Sequence, residues 1–247
     1  MNRVMDRPSP NRDSRNGVAV SILMIHYTGM KTGAEALARL CDPEAKVSSH
    51  YLVEEDGDVF RLVPEELRAW HAGQGSWHGI DNINAHSIGI ELVNPGHEWG
   101  YRHFPLPQMK ALASLSRAII NRWDIDAFNV IGHSDGAPLR KTDPGELFDW
   151  PYLAGRGVGF WIEGGDPVTG GRLGPGESGV MVEALQADLA AFGYGLHVHG
   201  RYDAETRAVV AAFQRHWRPA VVDGVADEDT RGRLARLLRI RAETVRP

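Results

Sequence analysis

Residues 164–176 contain Gly164, Gly165, Pro167, Gly170, Gly171, Gly174, Pro175 and Gly176, a density of glycine and proline that neither a helix interior nor a strand tolerates. The residue pattern changes across this stretch. Before it, short apolar runs with strand character alternate with helical stretches; after it, only helical periodicity remains. The 247-residue chain is therefore expected to divide into a mixed α/β domain over residues 1–163, a linker over 164–176 and a small three-helix domain over 177–247. With 43% hydrophobic residues, there is enough apolar material to fill a core.

In the first part, residues 1–18 read as irregular, and the apolar run 20–25 reads as a buried strand. A short helix is expected around 33–41, with Ala34, Leu37, Ala38 and Cys41 along one face. Residues 49–53 and 58–62 read as a strand pair joined through Asp56 and Gly57, and 87–92 alternates as another strand. The clearest helix covers 107–123, with proline at its start and Met109, Leu112, Ser116, Ile119 and Trp123 as its inner stripe. A last short strand follows at 129–132.

Beyond the glycine-rich stretch, 178–192 is helical with Val182, Leu185, Leu189 and Phe192 inside. A short pattern then occurs twice, at 200–206 and 224–230, and in each copy an aspartate (Asp203, Asp227) is placed to cap a helix. The helices that follow bury Val209, Val210, Phe213 and Trp217 in one case and Leu234, Leu237 and Leu238 in the other. Three short helices make too small a bundle for an elaborate active site, so a binding role is expected of them.

Charge and composition exclude several classes. The formal charge is −5, from 27 basic and 32 acidic residues with no basic block, which argues against a nucleic-acid partner or an anionic membrane surface. No run approaches the ~18 apolar residues of a membrane span. Cys41 is the only cysteine, so an intrachain disulfide and a cysteine-rich metal cluster are both impossible. It is expected to be a buried structural thiol rather than a nucleophile. The polar opening residues do not read as a signal peptide, which sets a cytoplasmic expectation; a periplasmic one holds if a leader has been removed.

Four polar groups that can bind metal or carry protons sit at or just after the ends of apolar strands: His26, Glu91, His133 and, shortly after the last strand, Asp143. Ligands of open α/β sheets gather at strand ends, so these four can converge. Two histidines and a carboxylate would hold a catalytic zinc ion with one position open, and the chemistry implied is metal-assisted hydrolysis of an acyl bond. On residue type alone, the competing reading stays open: His26 and His133 could simply cap strands through ordinary hydrogen bonds. Ser134 and Asp135 beside His133 invite a serine triad but lack a Gly-x-Ser-x-Gly elbow, and Gly73-Gln-Gly75 is too short for a nucleotide loop.

Several short words narrow the choice. Ile25-His-Tyr-Thr28, Val47 to Leu52, Ala69-Trp-His-Ala-Gly73, Ser87 to Glu91 and Gly132-His-Ser-Asp135 through Arg140 to Gly145 resemble, in order, the amidase-2 family of N-acetylmuramoyl-L-alanine amidases. The likeness is to its AmpD/AmiD-like members, the AmiD branch above all, and it runs from about residue 7 to 161. It implies a mixed β-sheet flanked by helices with a zinc groove, as in lysozyme of the T7 type. It carries the zinc ligands onto His26, His133 and Asp143, the catalytic glutamate onto Glu91 and the catalytic lysine onto Lys141. Trp70 and His71 fall on a segment expected at the groove, where they would meet sugar or peptide. His50 and Tyr51 lie on one strand, so one of them at most faces the groove, and His50 is expected in the core. The implied activity is zinc-dependent cleavage of the amide between N-acetylmuramic acid, or its 1,6-anhydro form, and L-alanine, in peptidoglycan turnover or recycling. A catalytically silent peptidoglycan-recognition protein and a stem-peptide endopeptidase are the alternatives. The C-terminal part, through Leu185-Gln186, Phe192 to Tyr194, Thr206, Phe213-Gln214 and Asp223-Gly224, resembles the peptidoglycan-binding domain type 1. The expected partner is thus peptidoglycan or a muropeptide.

Overall fold

The structure, a computed structural model, describes residues 3–244. Eight strands form in chain order: β1 (Val4–Asp6), β2 (Arg12–Ser14), β3 (Ile22–Tyr27), β4 (Tyr51–Val53), β5 (Val59–Arg61), β6 (Leu67–Ala69), β7 (Ser87–Leu92) and β8 (Val130–Gly132). Six of them make a mixed sheet in the order β1-β5-β4-β7-β3-β8, and β2 pairs antiparallel with β6 in a small separate sheet. Within the large sheet only the β4–β5 hairpin is antiparallel. Parallel strands must be covered on both faces, and β3 and β7 are accordingly buried almost throughout, β3 as a near-continuous apolar run and β7 as an alternating one. The helix Leu106–Trp123 covers the sheet with Met109, Leu112, Ser116 and Ile119 buried, as its sequence stripe predicts.

Three expectations are corrected. Residues 1–18 were expected to be irregular; residues 1 and 2 lie outside the described residues, and 3–18 supply two short strands, β1 and β2, with Arg15 beside them buried. The strand expected at 20–25 runs instead over Ile22–Tyr27, so His26 lies within it rather than after it. The helix Gly33–Cys41 buries Gly33, Ala36 and Leu40, not Ala34 and Ala38, which are exposed. Ala36 and Leu40 pack with Leu52, Leu62 and Val93, and Cys41 lies half-buried at the edge of that cluster, where burial pushes its thiol pKa up.

The chain forms two compact units that do not follow its order. The first comprises residues 1–74, 82–133 and 143–160; the second comprises 75–81, 134–142 and 161–247. In the second, the helices Val180–Phe192, Ala204–Trp217 and Glu228–Thr244 carry a structural repeat. Gln186 Oε1 accepts from the backbone N–H of His199 and Gly200, and its Nε2 donates to Thr206 Oγ1; Gln214 does the same with Asp223, Gly224 and Thr230. Asp203 and Asp227 each accept the N–H three residues on, the caps expected of them, each worth about 0.5–2 kcal/mol. The glycine-rich stretch is packed rather than free. A Cβ on Gly165 would lie 2.3 Å from the backbone of Gly232, and the Asp166 N–H donates to Gly232 O at 2.9 Å. Arg231 donates to the carbonyls of Thr169 and Gly171, and Leu173 bridges to Ala226. These two glycines serve close backbone approach rather than flexibility.

Candidate metal centre

The centre lies within the first unit. His26 is on β3, His133 opens the one-turn helix that follows β8, and Asp143 lies in the loop beyond. Their donor atoms converge: His26 Nδ1 and His133 Nδ1 are 2.9 Å apart, and Asp143 Oδ2 is 3.2 Å from the first and 3.1 Å from the second. All three side chains are buried.

The surroundings fix the imidazole tautomers. Ser87 Oγ donates its proton to Ile83 O (2.7 Å), so at 3.2 Å it accepts from His71 Nε2. His71 Nδ1 is then a bare lone pair, and His26 Nε2, 3.0 Å away, donates to it. His133 Nε2 donates to Ala72 O at 2.9 Å, because a carbonyl can only accept. In its singly protonated form each imidazole thus turns a lone pair on Nδ1 toward the carboxylate. Three lone-pair atoms meet with no proton to share, an arrangement that a cation stabilises. The two-nitrogen, one-oxygen donor set fits zinc.

Successive residues, His71 and Ala72, each support one of the two clustered histidines. Asn84 pins them both, its Oδ1 accepting from the His71 and Ala72 N–H groups at 3.0 and 2.8 Å. His71 was expected to meet substrate at the groove. It is 6% exposed with both ring nitrogens engaged, so it lies behind His26. Burial first, then the neighbouring His26 and His50, hold its pKa well below the ordinary value and keep it neutral. His50 is buried behind His71, with ring centroids 5.7 Å apart, as expected of a core residue; Tyr51, one position on, is turned to Glu65. Trp70 is half-buried, its backbone tied to Ser48.

Alternate residues of β7 serve this centre from one face. Ser87 holds His71. Gly89 leaves room for the His71 ring, since a Cβ there would sit 2.6 Å from it. Glu91 is the register partner of His26 and, half-buried, shares its face. Asp143 is steadied by its own loop: Tyr101 donates to Pro144 O at 2.6 Å and accepts from the Leu147 N–H at 2.9 Å, with Gly145 at φ +85° making room for it. Burial raises the pKa of Asp143, while positive charge on the adjacent His133 and His26 would outweigh this and hold the carboxyl well below its usual range; with the imidazoles singly protonated, a bound cation would supply that charge instead. Lys141 belongs to segment 134–142 of the second unit, half-buried in a tight turn in which the Arg140 and Lys141 N–H groups both donate to Ala137 O.

Ser87, Gly89, Asn84 and the Ala72 carbonyl went unassigned in the sequence. So did the cluster around Tyr27, whose hydroxyl meets His97 Nδ1 at 2.9 Å while His97 Nε2 faces Glu146 at 3.2 Å. Nearby, Lys31 lies 4.3 Å over the ring of Trp99, which is 49% exposed.

A mixed sheet carrying a buried His-His-Asp centre at its strand ends is a frame suited to hydrolysis. Comparison with known proteins says of which kind. Residues 16–146 match the family described as N-acetylmuramoyl-L-alanine amidase, and residues 178–234 match a peptidoglycan binding domain. N-acetylmuramoyl-L-alanine amidase AmiD of Escherichia coli (strain K12) is 38% identical over 85% of this chain and 79% of its own length. The 1,6-anhydro-N-acetylmuramyl-L-alanine amidase AmpD of Salmonella typhimurium (strain SL1344) is 35% identical over 58% of this chain and 84% of its own. Among solved structures, E. coli AmiD in complex with the substrate anhydro-N-acetylmuramic acid-L-Ala-D-γ-Glu-L-Lys has a TM-score of 0.76 and 34% identity, covering 95% of this chain and 93% of the other. The chain belongs to the N-acetylmuramoyl-L-alanine amidase family.

Proposed function

We propose that this chain is a zinc-dependent amidase that hydrolyses the bond between N-acetylmuramic acid, or its 1,6-anhydro form, and L-alanine, in cell-wall turnover and recycling. The observation that carries the reading is the convergence of two imidazole Nδ1 atoms and a carboxylate oxygen, 2.9, 3.1 and 3.2 Å from one another. The relatives' names and the anhydro-muropeptide bound to AmiD supply the substrate class.

His26, His133 and Asp143 would hold the ion, which supplies Lewis acidity toward a carbonyl and toward water. Glu91, on the same sheet face as His26, takes the proton of the attacking water and returns it to the departing amine of L-alanine, a role contributing ~10²–10⁴-fold. Lys141 stabilises the developing oxyanion through its ammonium. His71 and Ala72 orient the two imidazoles, and the C-terminal three-helix module binds the wall polymer.

The test combines metal analysis with mass spectrometry of products from anhydro-N-acetylmuramyl-tripeptide. The proposal expects about one zinc per chain, release of free tripeptide and loss of turnover on chelation. Cleavage within the stem peptide, or full turnover in metal-free His26→Ala protein, would overturn it.

A further inference from the structure

Residues 134–142 join His133 to Asp143 along the chain, and they belong to the second compact unit together with the C-terminal module. Asp135 in this segment is 1% exposed. Its Oδ1 accepts from the Tyr194 hydroxyl at 2.7 Å, and its Oδ2 accepts from His216 Nδ1 at 2.8 Å. Tyr194 follows the helix Val180–Phe192, and His216 lies in the helix Ala204–Trp217 with its ring stacked on Trp217 at 4.2 Å. One residue further, Gly136 O accepts from the Ser76 N–H at 2.8 Å.

A carboxylate this deeply buried is held by the groups that hydrogen-bond it, and removing one donor weakens that hold. A module that served only to grip polymer would have no use for an aspartate two residues after a metal ligand. We propose that Tyr194 and His216 are positioning residues for the metal centre. Through Asp135 they fix the segment whose two neighbours in the chain are the ligands His133 and Asp143. The inference rests on the zinc reading above and adds to it: the C-terminal module contributes to metal affinity as well as to polymer binding. Outer contacts that orient ligands typically govern metal affinity by about 10–100-fold.

The test uses the full-length protein and two readouts, zinc affinity by competition with a chromophoric chelator and the visible spectrum of the cobalt-substituted form. Tyr194→Phe and His216→Leu are expected to weaken zinc by roughly tenfold or more and to alter the cobalt spectrum. His216→Asn, which returns a donor near the place of Nδ1, recovers part of the loss. Tyr202→Phe is the control: it removes a buried hydroxyl bond of the same module, to Gly224 O at 2.9 Å, without touching Asp135, and leaves affinity and spectrum unchanged. Wild-type affinity and spectrum in folded Tyr194→Phe and His216→Leu would overturn the proposal, as would an equal loss in Tyr202→Phe. If Tyr194→Phe does not fold, the difference between His216→Leu and His216→Asn decides. A wild type that takes up no zinc would refute the function reading itself, a result distinct from either.

Discussion

His71 Nδ1 lies 3.0 Å from His26 Nε2, and this contact turns the other ring nitrogen, Nδ1, toward His133 and Asp143. The relay from Ile83 O through Ser87 and His71 to His26 runs in one direction, because a carbonyl at its end can only accept. Burial holds the pKa of His71 well below its ordinary value, and behind it Arg15 Nη2 lies 2.9 Å from His50 Nε2.

The first prediction concerns this relay. His71→Phe fills the space but offers no acceptor, so His26 loses the partner that fixes its tautomer. Zinc affinity should fall by about 10–100-fold. Gly89→Ala should lower it in the same direction, since the new Cβ would come within 2.6 Å of the His71 ring. Chelator competition checks both; unchanged affinity in the two would show that the relay is incidental.

The second concerns Glu91, which the β3–β7 register places beside His26. Glu91→Gln keeps the shape and loses the base. Zinc content should stay near wild type while kcat on a defined muropeptide falls by at least ~10²-fold. A drop of only a few-fold would make Glu91 a structural carboxylate.

How much of this was legible in the sequence depended on where the information sat. The clustered residues His26, His133 and Asp143 were visible because each lies at or beyond the end of an apolar strand, and β7 matched its expected span because its alternation is unbroken. The supports were not. Ala72 acts through a backbone carbonyl, Gly89 through the absence of a side chain, and Asn84 by folding back onto residues 71 and 72. Strands such as Arg12–Ser14 carry no apolar residue and exist through partners some 55 positions away. The inner face of Gly33–Cys41 was misread because alanines fit either side of a short helix, and Leu40 and the neighbouring cluster decided it.

The third prediction is a pH dependence. Burial first, and then the charge of Arg15, push the His50 pKa down to about 3. The unfolded chain takes a proton on this group below about 6.5, which the native state refuses. The stability His50 contributes is therefore full above about pH 6.5 and is lost progressively as pH falls toward about 3. His50→Gln can still accept from the Gly89 N–H and donate to Leu67 O without titrating. Urea unfolding of the two chelator-treated proteins between pH 6.5 and 5 should show a shallower acid loss for the variant; parallel slopes would refute it.

The last prediction concerns dependence on the C-terminal module. A chain cut within 164–176 would be expected to leave an independent amidase if that stretch were a free linker. Segment 75–81 argues otherwise, because it belongs to the second unit. Trp77 in it is 1% exposed, with its ring 5.2 Å from that of Tyr194 and 6.1 Å from that of Phe192. The His78 N–H donates to Gly193 O at 2.8 Å, and Trp77 bridges to Tyr194. Removing residues 164–247 uncovers that indole and strips Asp135 of Tyr194 and His216. Exposing a large aromatic side chain forfeits about 1.5–3 kcal/mol of burial, and Asp135 loses two of the donors that hold it. The truncated protein should therefore aggregate, or unfold at a lower temperature with red-shifted tryptophan emission, and Trp77→Ser in the same truncation should restore part of its solubility. Light scattering and emission spectra of the truncations beside the full chain decide it: a monomeric truncation with unshifted emission and full turnover on a small muropeptide would show that the module is dispensable to the fold.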